Sequence, residues 1–120
     1  MNQSKISFIR QTEKQMIKLN ILYPNKEGSR FDLDYYINKH MPISIEKFGI
    51  ALKGISVEYG LNAGLPDSKP HYIAMAHLLF DSEQAFKTAF DPIAEILTSD
   101  MINYTDIEPL YQFSDVKIYK

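Results

Sequence analysis

Histidine and tyrosine carry the chemistry open to this chain of 120 residues, which has 3 His, 8 Tyr and no Cys. The missing thiols exclude disulfides, thiolate metal ligands and cysteine nucleophiles. His40 is the leading candidate. It lies in Phe31-Asp-Leu-Asp-Tyr-Tyr-Ile-Asn-Lys-His-Met-Pro42, and on a wheel of about 100° per residue it shares one face with Leu33, Tyr36, Ile37 and Ser44. An imidazole titrates near neutrality, so it can give and take protons with little tuning. Tyr36, one turn earlier, could orient the ring or bind a ligand oxygen. The structural alternative is that His40 donates to a carbonyl left without its usual partner by Pro42 and anchors a kink.

His77 and Asn20 are the next polar groups in apolar company. His77 shares an alternating face with Met75 and Leu79, and a histidine there needs a hydrogen-bond partner. If that face looks toward the helices, His77 lines a cavity with His40; otherwise it is a core histidine bound to a tyrosine hydroxyl. Asn20 is placed on the inner side of the first strand, where it reaches the same cavity or satisfies its neighbours. His71, just after Pro70, is expected at the surface. The aromatic set Phe86, Phe90 and Tyr104 reads as core before ligand box. No metal site is expected: His71 and His77 would sit roughly 20 Å apart along a strand at about 3.3 Å per residue, and His40 has no carboxylate at recognisable ligand spacing.

The elements that must position these residues follow from periodicity and breakers. Residues 1–15 are polar and read as an extension ahead of a single domain over 16–120, with Met16 available as an alternative start. Ile17, Leu19, Ile21 and Tyr23 alternate as a strand ending at Pro24. A helix follows with Asp32 and Asp34 in its first turn. Pro42 predicts a break at Met41 and a second helical piece that stops at Gly49. Ile55, Val57 and Tyr59 predict a second strand, residues 60–70 a loop, and His71 to Phe80 a third strand. Asp81-Ser82 caps an amphipathic helix through Phe86, Ala89, Phe90, Ile93 and Leu97, kinked or restarted at Pro92. Leu110 to Tyr119 forms the last strand.

The order β-α-β-β-α-β is that of a ferredoxin-like α+β fold, a four-stranded antiparallel sheet with both helices on one face. The third strand is apolar on both sides, so the uncovered sheet face calls for a partner, most simply a second copy in a homodimer. A net charge of −2 with no basic run excludes a nucleic-acid footprint. No apolar run approaches the ~18–20 residues that span a membrane, and no signal peptide is visible. A cytoplasmic location is expected.

Four motifs in order resemble the EthD family, named for ethyl tert-butyl ether degradation. They are residues 31–42, Ile55-Ser-Val-Glu-Tyr-Gly-Leu61, the run from Tyr72 to Phe86, and Asp100-Met-Ile-Asn-Tyr-Thr-Asp106 followed by Pro109. The likeness covers about residues 16–119. It implies a dimeric α/β barrel, shared with antibiotic-biosynthesis monooxygenases, muconolactone isomerases and some polyketide cyclases. It also implies work on small organic molecules under a loose oxidoreductase label, with some relatives acting as dehydratases or decarboxylases through the histidine that matches His40. Relatives of this fold include haem-degrading enzymes, yet no distinctive axial-ligand motif is present. Flavin and nicotinamide fingerprints are absent, since Gly60-Leu-Asn-Ala-Gly64 precedes a strand and does not open a helix.

The expectation is therefore a cofactor-free protein that acts on, or assists oxidation or degradation of, a small hydrophobic or aromatic molecule. His40 would be the general acid/base, with Tyr36, His77 and Asn20 contacting substrate. The alternative is a non-catalytic dimer that binds small ligands or supports a pathway.

Overall fold

The computed structural model describes residues 15–120, so the expected extension over residues 1–15 lies, except for Gln15, outside the described residues. The elements are β1 (Ile17–Pro24), α1 (Leu33–Tyr35), a π-helical turn (Tyr36–His40), α2 (Met41–Phe48), β2 (Gly54–Tyr59), β3 (Tyr72–Phe80), α3 (Glu83–Phe90), α4 (Ala94–Asp100) and β4 (Leu110–Asp115). The strands pair antiparallel in the order β2-β3-β1-β4. This is the ferredoxin-like arrangement, with β-α-β-β-α-β connectivity as the periodicity predicts. The last strand is shorter than expected, ending at Asp115, although the Val116 amide still donates to the Met16 carbonyl.

Pro42 does not break the first helical unit. Met41 keeps helical angles, φ −66° and ψ −43°, and its amide donates to the Tyr36 carbonyl five residues back. Proline lacks an N–H and its ring presses on the carbonyl four residues earlier. A turn widened by one residue just before Pro42 relieves that conflict while the helix continues. The unit starts on Asp32, whose carboxylate accepts from the Tyr35 amide, and stops at Gly49, whose φ of 61° favours glycine. Ser82 caps α3 through the Ala85 amide, and Pro92 sits in a short 3-10 turn between α3 and α4, the expected restart.

Both helical units pack on the same sheet face. Phe48 from α2, with Ile93 and Leu97 from the second unit, closes over Leu19, Ala76, Leu78 and Phe80. Phe80 is fully buried, with its ring centroid 5.1 Å from Phe48 and 5.2 Å from Phe86. A second cluster joins Tyr23, Tyr36, Met41, Ala74, Tyr104 and Ile107. Among the described residues the two core clusters hold the helical units to this one face, and on the opposite face Leu79, beside Gly54, is nonetheless only 4% exposed. That face is mixed where the sequence pattern suggested a strongly apolar one. Leu22, Ile73, Met75 and Leu110 alternate there with Asn20, His77, Glu58, Gln112 and Ser114, because side chains two apart share a face and the register sets Asn20 beside His77 and Gln112.

Candidate active site

A cavity of about 370 Å³ opens between the sheet and the helices, within the range of small-molecule sites. Its wall comes from every layer. Leu19, Ile21 and Leu78 form the sheet side, Tyr111 and Phe113 the β4 side, and Phe48, Phe86, Phe90, Leu97 and Met101 the helix side. Among the described residues no lysine, arginine or carboxylate lines the cavity. His40 is the polar group with titratable chemistry at neutral pH.

His40 is buried at 6% exposure on the π-helical turn. Its Nδ1 lies 2.9 Å from Asp100 Oδ2. The alternative reading, an anchoring bond to a backbone carbonyl near Pro42, has no counterpart among the described residues; Nδ1 meets a carboxylate 60 residues away. Asp100 is in turn held at its other oxygen. Oδ1 accepts from the Tyr35 hydroxyl at 2.7 Å and from Asn103 Nδ2 at 3.0 Å. The imidazole stacks on Tyr36, with centroids 5.7 Å apart and planes at 12°, and leans on Tyr104 at 4.7 Å. With an ionised Asp100 as acceptor, Nδ1 carries the proton. Among the described residues Nε2 has no hydrogen-bond partner, and His40 lines the cavity.

Long-range clasps bring Asp100 to this place. The Asp32 amide donates to the Tyr104 carbonyl at 2.7 Å, Thr105 Oγ1 donates to the Arg30 carbonyl at 2.7 Å, and Arg30 Nη2 donates to the Ile102 carbonyl at 2.7 Å. The segment after α4 is thereby tied to the start of the first helical unit.

Electrostatics suit an acid/base. Burial pushes the His40 pKa down, and the Asp100 carboxylate opposes that shift without cancelling it. Burial pushes Asp100 up, but hydrogen bonds from Tyr35, Asn103 and His40 outweigh it and leave the carboxyl below its ordinary value. Three phenols sit behind the imidazole. Tyr23 and Tyr104 share a 2.7 Å hydrogen bond between hydroxyls, and the sealed Tyr36 hydroxyl lies beside Tyr23 with no well-formed bond. Burial raises Tyr23 to about 12 and pushes Tyr36 and Tyr104 up as well. All three remain neutral at pH 7.

The sign of the His40 shift fixes a pH effect. The unfolded chain, with an ordinary histidine value of 6.5, binds a proton more readily than the folded one. The contribution is whole above pH 6.5 and is lost as pH falls from there toward the folded value. Urea unfolding at pH 8 and pH 5 should show a smaller acid loss of stability for His40→Asn than for the wild type. An equal loss in the two proteins would refute the assignment.

The sequence-selected residues separate into two groups. His40 and Tyr36 sit together at the cavity, Tyr36 as a ring wall behind the imidazole. His77 and Asn20 do not join them, and their placement in the same cavity is corrected. Leu19, Tyr23, Ala76 and Leu78 turn inward to the helices, so Asn20 and His77, one position out of phase, turn to the opposite face. There they form a polar row across all four strands. Asn20 Oδ1 meets His77 Nδ1 at 2.6 Å, His77 Nε2 meets Glu58 Oε1 at 3.0 Å, and Asn20 Nδ2 donates to Ser114 Oγ at 2.9 Å. His71 is exposed as expected. Phe86, Phe90 and Tyr104 pack in the core and also line the cavity, so the core and ligand-box readings meet in the same rings.

Asp100, Tyr35 and Asn103 were not picked out as site residues by sequence reasoning. Asp100 and Asn103 fall inside a quoted motif, but nothing in local spacing says that a carboxylate at the end of α4 meets an imidazole on the first helical unit. Among the described residues no group of three or more His, Cys, Asp and Glu is arranged to hold a metal ion.

A four-stranded antiparallel sheet in the order β2-β3-β1-β4, with two helical units on one face, defines a protein of the ferredoxin-like class. Comparison narrows that class. An EthD-like protein from Ralstonia eutropha JMP134 is 36% identical, with 90% of this chain and 97% of that chain covered and a TM-score of 0.85. The chain belongs to the EthD-like family. An EthD family protein from Bacillus halodurans C-125 (18% identity, 84% and 98% covered, TM-score 0.65) and the hydroxynitrile lyase from Passiflora edulis (10%, 90% and 100%, TM-score 0.63) are similar in fold. No protein-family model and no curated protein matches the chain.

Proposed function

We propose that this protein performs proton-transfer chemistry on a small, uncharged, hydrophobic and oxygenated organic molecule held between helices and sheet, as a step in its oxidation or degradation. His40 is the general acid/base. The observation that carries this reading is a buried imidazole whose Nε2 has no hydrogen-bond partner among the described residues, lining a cavity whose described wall is otherwise almost wholly apolar. Such a wall favours flat or branched hydrocarbon frameworks, and the lack of lysine and arginine among its described residues disfavours a carboxylate or phosphate ligand. In outline, Nε2 removes a proton from the bound molecule, Asp100 stabilises the imidazolium, and the same nitrogen returns the proton to the product side. The experiment is substitution of His40 with turnover followed on candidate oxygenated hydrocarbons. A non-catalytic binder would lose little affinity on the same change. The fold shared with a hydroxynitrile lyase does not by itself assign the reaction.

The working unit in this reading is a homodimer. Its support is the sheet face on which no described helix packs, where Met75, Ile73, Leu22 and Leu110 flank the polar row. Light scattering on the eluting peak should return twice the chain mass; a monomer at micromolar concentration would contradict it. Among the described residues no helix is long and apolar enough to cross a membrane.

A further inference from the structure

We infer that Asp100 is a positioning residue that fixes the proton-bearing nitrogen of His40, and that Tyr35 and Asn103 decide which Asp100 oxygen faces the ring. This deepens the proposed function and rests on His40 being its acid/base.

The argument is one of donors and acceptors. Asp100 Oδ2 faces His40 Nδ1 at 2.9 Å, while Oδ1 is occupied by two donors, the Tyr35 hydroxyl at 2.7 Å and Asn103 Nδ2 at 3.0 Å. An ionised carboxylate only accepts, so Nδ1 must donate and Nε2 must carry the lone pair. A base at the cavity needs that tautomer. The opposite one would present an N–H to the ligand and could not take a proton. The groups around the ring come from three elements: Asp100 closes α4, Tyr104 precedes β4, and Tyr36 belongs to the ring's own turn. Both phenols are held neutral by burial, so Asp100 supplies the charge that steadies an imidazolium.

The clamp makes the consequence of one substitution specific. In Asp100→Asn the amide has one acceptor and one donor end. Tyr35 and Asn103 both donate, so they claim the amide oxygen and turn its NH₂ toward His40 Nδ1. That nitrogen must then accept, and the proton moves to Nε2. An aspartate that merely filled space would have no such effect.

The test is long-range ¹H–¹⁵N NMR of the histidine rings with a pH titration, on the whole ligand-free chain. The wild type should show the Nδ1–H tautomer for neutral His40. Asp100→Asn should show the Nε2–H tautomer, with the His40 midpoint lowered by about one to two pH units through loss of the neighbouring charge. Tyr35→Phe removes one donor that competes for the carboxylate, so it should keep the Nδ1–H tautomer and move the midpoint slightly upward. That second variant removes only the hydroxyl of a half-buried ring, and supplies a reading even where Asp100→Asn does not fold. An unchanged tautomer in Asp100→Asn, or a downward midpoint in Tyr35→Phe, would overturn the inference. These signals are read without a ligand, so their failure is distinguishable from a failure of the acid/base proposal, which shows only in turnover.

Discussion

Replacing His40 with asparagine should abolish most turnover while leaving the fold in place. Asparagine can set its amide N–H where Nδ1–H stands and keep a donor on Asp100 Oδ2, but it has no basic nitrogen to offer the cavity. Loss of a general acid/base costs about 10²–10⁴-fold in rate. His40→Ala should lose as much activity and also some stability, because it leaves a void against Tyr36 and Tyr104 and removes one of three donors on Asp100. The pair separates the readings. Equal turnover in His40→Asn and wild type would remove His40 from the chemistry. A lowered melting temperature in both variants, with ligand handling intact, would make it an anchor.

The largest effect on stability is expected at Phe80. Its ring is fully buried, lies between Phe48 and Phe86, and belongs to the cluster that fixes both helical units to β3. Truncation to alanine removes apolar burial and leaves a cavity that the surrounding aromatic rings fill only in part. Phe→Ala in such a core costs about 3–5 kcal/mol. For a domain of this size that corresponds to roughly 10 °C or more in melting temperature. Calorimetry on Phe80→Ala would decide it, and a shift of only a degree or two would mean that the core is not organised around this ring.

The sheet and its order were legible because strand and helix periods are local properties. Ile17 to Tyr23 alternates with period 2, Phe86 to Leu97 with a helical period, and Ser82 is a cap by residue type. The helix wheel also found the His40–Tyr36 face. It failed on Ile37, which is 43% exposed, because a π-helical turn does not keep 100° per residue. Proline's penalty is local, so Pro42 predicts a break, whereas the widened turn that accommodates it depends on the packing of Tyr36 and His40 beneath. Alternation says which residues travel together and not which face receives the helices, so it leaves the side of His77 open and the inner side expected for Asn20 is the outer one. That choice belongs to the bulk of Leu19, Leu78 and Phe80. Asp100 was invisible for a related reason: its partner is 60 residues away and is brought near only by the clasp between Arg30, Asp32 and the segment after α4.

The hydrophilic row from Glu58 through His77 and Asn20 to Ser114 has an outcome for recognition. A purely greasy surface tolerates sliding and accepts many neighbours, since each offset buries similar area. A stripe of oriented donors and acceptors crossing every strand penalises any alignment that leaves its outward-facing atoms dry and unanswered. Whatever lies against this side of the sheet is therefore selected by registry, and one residue of slip would be felt at all four strands at once.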